Sequence, residues 1–129
     1  MIILLDTSTA TCYLTLVNGG DRYEYEWQSD RELARGLLAF LRDKLAEHQA
    51  NFNDISAIGA MKGPGSFTGL RIGLTVLNTI ASDRKLPIVG VENSNDWRGR
   101  ALERLKNGEN DHLVMPHYGR DANITTPRK

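Results

Sequence analysis

Apolar and polar positions change their spacing several times along this chain, and each change marks an element. Residues 2–7, 11–17 and 22–28 are short β-branched and aromatic runs that predict three strands. The second and third are joined by Asn18-Gly19-Gly20-Asp21, a hairpin turn sequence. In Tyr23-Glu24-Tyr25-Glu26-Trp27 aromatics alternate with carboxylates, so one face packs and Glu24 and Glu26 stand on a wet one. Ser29-Asp30-Arg31-Glu32 has the form of a capping box and opens a helix to about His48. That helix carries Leu33, Leu37 and Phe40 on one stripe, with Ala34, Leu38, Leu41 and Leu45 beside it. Residues 55–61 predict a fourth strand. A second helix follows to about Asp83, with Leu70, Leu74, Leu77 and Ala81 on one stripe and Gly69, Gly73, Val76 and Ile80 on another. Only Arg71, Thr75, Asn78 and Ser82 make a polar line on it, so burial on two sides is expected. Residues 87–92 predict a fifth strand, and Ser94 caps a third helix that Gly108 ends after about Asn107.

The most specific segment lies between the fourth strand and the second helix: Gly63-Pro64-Gly65-Ser66-Phe67-Thr68-Gly69-Leu70-Arg71-Ile72-Gly73. Gly63 and Gly65 allow positive φ on either side of Pro64, and Ser66 or Thr68 would cap the first helical turn. Such a strand–turn–helix corner directs backbone N–H groups outward at the positive end of a helix, a geometry suited to anions. Neither nucleotide fingerprint is satisfied, however. G-x-G-x-x-G requires glycine where Thr68 stands, and a P-loop requires a Gly-Lys-Ser/Thr ending. The element order β-β-β-α-β-α-β-α predicts an α/β fold of the RNase H-like (actin/Hsp70-type) half, a mixed five-stranded sheet with about three helices.

Composition narrows the partners. At 129 residues the chain is one domain's length, and its 16 basic and 16 acidic residues leave no global basic field for nucleic acid. A local excess of Arg120, Arg128 and Lys129 over Asp121 predicts a loose terminal arm. The single cysteine, Cys12, excludes an internal disulfide framework; its alternation with Tyr13 on a strand predicts a buried thiol. The first residues lack a basic n-region and reach Asp6 quickly, and no apolar run would span a bilayer, so a cytoplasmic protein with no membrane contact is expected.

The string Lys62 to Gly73 closely resembles the signature of the TsaB (YeaZ-type) family, which serves bacterial synthesis of threonylcarbamoyladenosine in tRNA. Ile3-Leu4-Leu5-Asp6-Thr7-Ser8-Thr9 with Cys12-Tyr13-Leu14-Thr15-Leu16 resembles the opening hairpin of that family. Leu86-Pro87-Ile88-Val89-Gly90-Val91-Glu92-Asn93-Ser94 resembles the strand and helix start that follow its second helix. Together the matches cover roughly residues 1–100. Members of the family usually carry a second α/β half before an ending built around Pro-x-Tyr. Here Leu113-Val114-Met115-Pro116-His117-Tyr118-Gly119-Arg120, similar to that ending, follows the third helix almost directly. The resemblance therefore implies a shortened form: residues 1–108 as the RNase H-like domain and 109–129 as a short C-terminal strand or tail.

Several chemistries can be weighed on named residues. Asp6, Ser8, Gly65 and Ser66 are the candidates for a nucleotide: Asp6 would orient a Mg²⁺ hydration shell and Ser8 would touch a phosphate. The phosphate hairpin of actin-like ATPases usually includes a glycine, and none lies between Asp6 and Thr11, so no cofactor is expected in the isolated chain and ATP with Mg²⁺ only in a complex. His112 and His117 flank Pro116, which prevents a helical His-x-x-x-His arrangement, and solvated loop histidines are expected in place of a metal site. His48 sits near a helix end, where a cation suits the macrodipole. No catalytic set is found. The resemblance implies a non-catalytic scaffold that binds a TsaD-type threonylcarbamoyltransferase, with a TsaE-like ATPase as a further partner, tRNA engaged indirectly, and a homodimer when alone. The expected interface is Leu33, Leu37, Phe40, Leu70, Arg71, Leu74, Leu77 and Asn78, with the glycine stripe of the second helix against the sheet and the leucine stripe outward. A small actin-like nucleotide hydrolase and a homodimeric remnant with an unrelated binding role are the alternatives.

Overall fold

A computed structural model describes residues 1–118; Gly119, Arg120, Asp121, Arg128 and Lys129, named above, lie outside the described residues. Strands β1 (Ile2–Asp6), β2 (Thr11–Asn18) and β3 (Asp21–Gln28) form an antiparallel meander. Helix α1 (Leu33–Ala46) leads to β4 (Ala57–Met61), α2 (Phe67–Arg84), β5 (Ile88–Val91) and α3 (Trp97–Lys106). The strands assemble one sheet in the order β3-β2-β1-β4-β5, with β1, β4 and β5 parallel. This is the mixed five-stranded sheet and element order that the sequence predicts.

Alternation along the central strands sets two cores. Ile3 and Leu5 of β1, Cys12, Leu14 and Leu16 of β2, and Ile58 and Ala60 of β4 face α1 and α2. Leu4, Val17, Met61, Val89 and Val91 face the other way, toward Trp97 and Ala101 of α3. The parallel strands are buried on both faces, which is why they read as near-continuous apolar runs. Strand β3 is an edge, and Glu24 and Glu26 are exposed there as expected, while Tyr25 and Trp27 are half-buried. Burial of Cys12, reinforced by the nearby Asp6 charge, pushes its thiol up to about 12, which makes it an inert packing group.

Two predicted caps are not made. Ser29 is buried, and both its N–H and its Oγ donate to the Ala10 carbonyl (3.0 and 3.1 Å), so the side chain ties the helix entry to the β1–β2 turn and does not cap α1. A single 3₁₀ turn, Asp30–Glu32, precedes α1 instead. Ser94 likewise stands ahead of α3, whose first residue is Trp97, and its Oγ has no partner among the described residues. The Ser66 cap is made: Oγ accepts from the Gly69 N–H at 3.2 Å. Gly108 follows α3 with φ +82°, the left-handed ending expected of it.

Candidate functional site

The glycine corner sits at the carboxyl end of β4, beside the loop that leaves β1. Gly63 adopts φ +115°, and the Gly63–Pro64 bond is cis; Gly65 keeps an ordinary backbone. A Cβ at Gly65 would lie 2.4 Å from the Ser8 Cβ, so that glycine is required by contact and not by φ. The fold brings all four nucleotide candidates together. Two hydrogen bonds join them: Asp6 Oδ1 accepts from the Ser8 N–H (2.8 Å) and the Ser66 N–H donates to the Ser8 carbonyl (2.7 Å). A groove of about 630 Å³ opens next to them, lined by Thr9, Ala10, Ser29, Arg31, Ser66 and Thr68 among others.

Helix α2 is anchored through Thr7. Its Oγ1 donates to the Gly69 carbonyl at 2.8 Å, and a Cβ on Gly73 would lie 2.1 Å from that same oxygen. The glycine stripe thus packs on the end of the sheet, as expected. The leucine stripe does not point outward. Leu70, Leu74 and Leu77 on α2, and Leu33 and Leu37 on α1, are only 0–4% exposed and belong to the chain's own core. The correction has a geometric cause. Both stripes fall on one wide arc that meets the sheet and α1 together, so Gly69 and Gly73 bring α2 close and the adjoining leucines fill the layer between.

The remaining interface candidates lie nearer the surface. Phe40 is half-buried against Trp27, with ring centres 5.2 Å apart. Arg71 is exposed, its guanidinium 5.1 Å from the Phe67 ring. Asn78 is half-buried and exchanges two hydrogen bonds of 2.9 Å with the backbone of Val114, so it clasps the chain's own C-terminal segment.

Four exposed apolar groups stand outside the expected interface set. Leu38 is 53% exposed, Phe67 55%, Leu113 59% and Met115 65%. Phe67 extends the polar line of α2, at the spacing of Arg71 and Thr75, and its ring stacks on Tyr118 at 4.7 Å. A groove of about 410 Å³ runs between α1 and α2, past Ala34, Thr68, Arg71, Ile72, Thr75 and Val76. A second, of about 380 Å³, separates α2 from Leu113, Met115 and Tyr118. Together they give the outer side of α1 and α2 a continuous mixed surface of aliphatic, aromatic and arginine groups, the composition that interfaces favour.

His48 lies at the end of α1, where its Nε2 is 2.6 Å from the Tyr25 hydroxyl and its ring rests on Tyr23. His112 and His117 occupy the segment after α3, both exposed. His117 is held by its backbone N–H, which donates to the Lys62 carbonyl at 2.7 Å. No group of three metal-ligating side chains occurs among the described residues, and no helix there is long and apolar enough to cross a membrane.

Comparison with known proteins agrees with this fold. The family profile TsaD, tRNA N6-adenosine threonylcarbamoyltransferase, matches residues 28–96. The chain is 29% identical over 130 residues to the tRNA threonylcarbamoyladenosine biosynthesis protein TsaB of Escherichia coli (strain K12), covering 95% of this chain and 56% of that protein. With the TsaB of Haemophilus influenzae it shares 29% over 109 residues, 84% of this chain and 46% of the relative. The structure of YeaZ from Pseudomonas aeruginosa superposes with a TM-score of 0.69 at 30% identity, over 81% of this chain and 49% of that one. The chain thus spans about half the length of the relatives it matches. The superposition bears out the RNase H-like assignment. The chain therefore belongs to the family that this profile describes, as one of its TsaB (YeaZ-type) members.

Proposed function

We propose that this chain is a non-catalytic subunit that binds and supports a TsaD-type threonylcarbamoyltransferase in the threonylcarbamoyladenosine modification of tRNA. The observation that carries the reading is the likeness of nearly the whole chain to proteins named for that biosynthesis. The outer side of α1 and α2 is its docking surface in this reading. Leu38, Arg71 and the groove between the helices make the contact, while the buried leucines shape the helices that present it. Phe40 and Asn78 act from just behind that surface. Residues 1–108 form the working domain, and residues 109–118 pack on it. The subunit works in the cytoplasm, and any ATP with Mg²⁺ is bound only once partners complete the groove beside Asp6, Ser8, Gly65 and Ser66. A TsaE-like ATPase joins the same assembly, tRNA is reached through the transferase, and without partners two copies associate through the same helices.

The test is co-purification of the tagged chain with the transferase of its own organism, followed by measurement of threonylcarbamoyladenosine in reconstituted tRNA. Arg71→Glu and Leu38→Asp should weaken the complex at least about tenfold while circular dichroism stays unchanged, since both are surface positions. A complex insensitive to both, or none at all with wild-type chain, would rule the reading out.

A further inference from the structure

Strand β5 is the other edge of the sheet, and its outward hydrogen-bonding groups are all taken by groups that are not a strand. Ile88 and Gly90 turn their N–H and C=O away from β4. The Ile88 N–H donates to Asn110 Oδ1 at 3.1 Å, and the Gly90 N–H donates to Asp111 Oδ2 at 2.8 Å. The Ile88 carbonyl accepts from the Asp111 N–H at 2.7 Å, and the Gly90 carbonyl from Arg104 Nη1 at 2.8 Å. The cap is braced internally, because Arg104 also reaches Asp111 at 2.5 Å and Glu109 at 2.7 Å. Val114 then seats on Gly90, where any Cβ would come within 2.4 Å of its Cγ1, and Asn78 locks it from the other side. Two side chains, one guanidinium and a single backbone N–H thus do the work of a sixth strand.

We propose that Asn110, Asp111 and Arg104 form a removable edge cap, and that its release lets β5 pair with β5 of a second copy. Edges of this kind are templates for pairing unless covered. The geometry of β5 is self-complementary. In an antiparallel two-fold arrangement centred on Val89, Ile88 of one copy would face Gly90 of the other, and each pair would exchange both of its hydrogen bonds. The strand sequence Ile-Val-Gly-Val carries no charge to oppose this, whereas the opposite edge, β3, carries Asp21, Arg22, Glu24 and Glu26. The cap is held by exposed and half-exposed groups, so it opens at lower cost than the sheet beneath it.

The test is hydrogen–deuterium exchange, read by NMR, on the chain carrying Asn110→Ala with Asp111→Ala. In dilute solution the Ile88 and Gly90 amides should exchange at least about tenfold faster than in wild type, with β1 amides unchanged. At near-millimolar protein the same two amides should regain protection, with a concentration-dependent rise in mass by light scattering beyond that of the wild-type chain. Unchanged exchange in dilute solution would overturn the cap, and exchange equally fast at both concentrations would overturn the strand pairing. Should the double variant fail to fold, Asp111→Ala alone removes the acceptor of the Gly90 N–H and the partner of Arg104, and the same two readouts apply to the Gly90 amide.

Discussion

Thr7 occupies the space that a side chain on Gly73 would need: a Cβ there would lie 2.1 Å from Thr7 Oγ1, the atom that donates to the Gly69 carbonyl. The contact joins the end of β1 to the second turn of α2, and it leaves no freedom for either partner to grow. Gly73→Ala should therefore destabilise the fold by about 1–3 kcal/mol through overpacking, despite the better helix propensity of alanine. Adding Thr7→Ala, which removes both the hydroxyl and the methyl that the new Cβ would meet, should recover part of the loss. Thermal melts of the two singles and the double give the coupling directly, and strict additivity would contradict this account.

The same helix separates core from surface at neighbouring positions. Leu74→Ala should cost about 2–5 kcal/mol, because it opens a cavity between α2 and the sheet. Leu38→Ala on the outer side of α1 should stay within about 0.5 kcal/mol. Denaturant titrations of both variants measure this contrast. A mild Leu74→Ala would return the leucine stripe to the surface.

Asp111 gives the fold an acid-sensitive contact. Burial pushes its carboxyl up, but hydrogen bonds from Arg104 and from the Gly90 N–H outweigh that and hold it below the ordinary carboxylate value of 3.8. A depressed carboxyl contributes stability that is present above its unfolded value and disappears as pH falls through the folded one. Wild type should therefore melt above Asp111→Asn at neutral pH, and the gap should close as pH drops below about 4. A gap independent of pH would show that the carboxylate charge is not what matters.

Cys12 should be silent in the native protein. With its thiol pushed up to about 12 and the side chain fully buried, a disulfide-exchange reagent at mild alkaline pH should release no chromophore until denaturant is added. Rapid native labelling would mean that β2 opens readily.

Periodicity carried most of the fold because the strands of the parallel core are apolar on both faces and the helices have wide apolar arcs. Run length and helical spacing alone mark those elements. Caps were less legible. Ser29-Asp30-Arg31-Glu32 has the local form of a capping box, yet a carbonyl from another part of the chain, Ala10, claims the serine. Local sequence cannot reveal a competitor 19 residues away. The candidate surface was misread for a related reason. A helical stripe of leucines looks the same whether it faces a partner or an internal layer, and the exposed groups that distinguish the two, Leu38, Phe67, Leu113 and Met115, are dispersed in sequence. The edge cap on β5 left no pattern at all, since Asn110 and Asp111 look like an ordinary loop until β5 lies beside them.

The glycine corner carries one more implication. Gly63 accepts Asn93 N–H on its carbonyl and leaves room for the His117 carbonyl, Gly65 admits Ser8, and Gly69 and Gly73 admit Thr7. Two distant stretches of backbone therefore close on an eleven-residue string through missing side chains, and a third, at Asn93, joins it through the Gly63 carbonyl. The string is thus a closure point of the architecture, comparable to a keystone whose shape is dictated by the stones around it. A search keyed to it will retrieve proteins that close their sheet this way, whatever chemistry they or their partners perform.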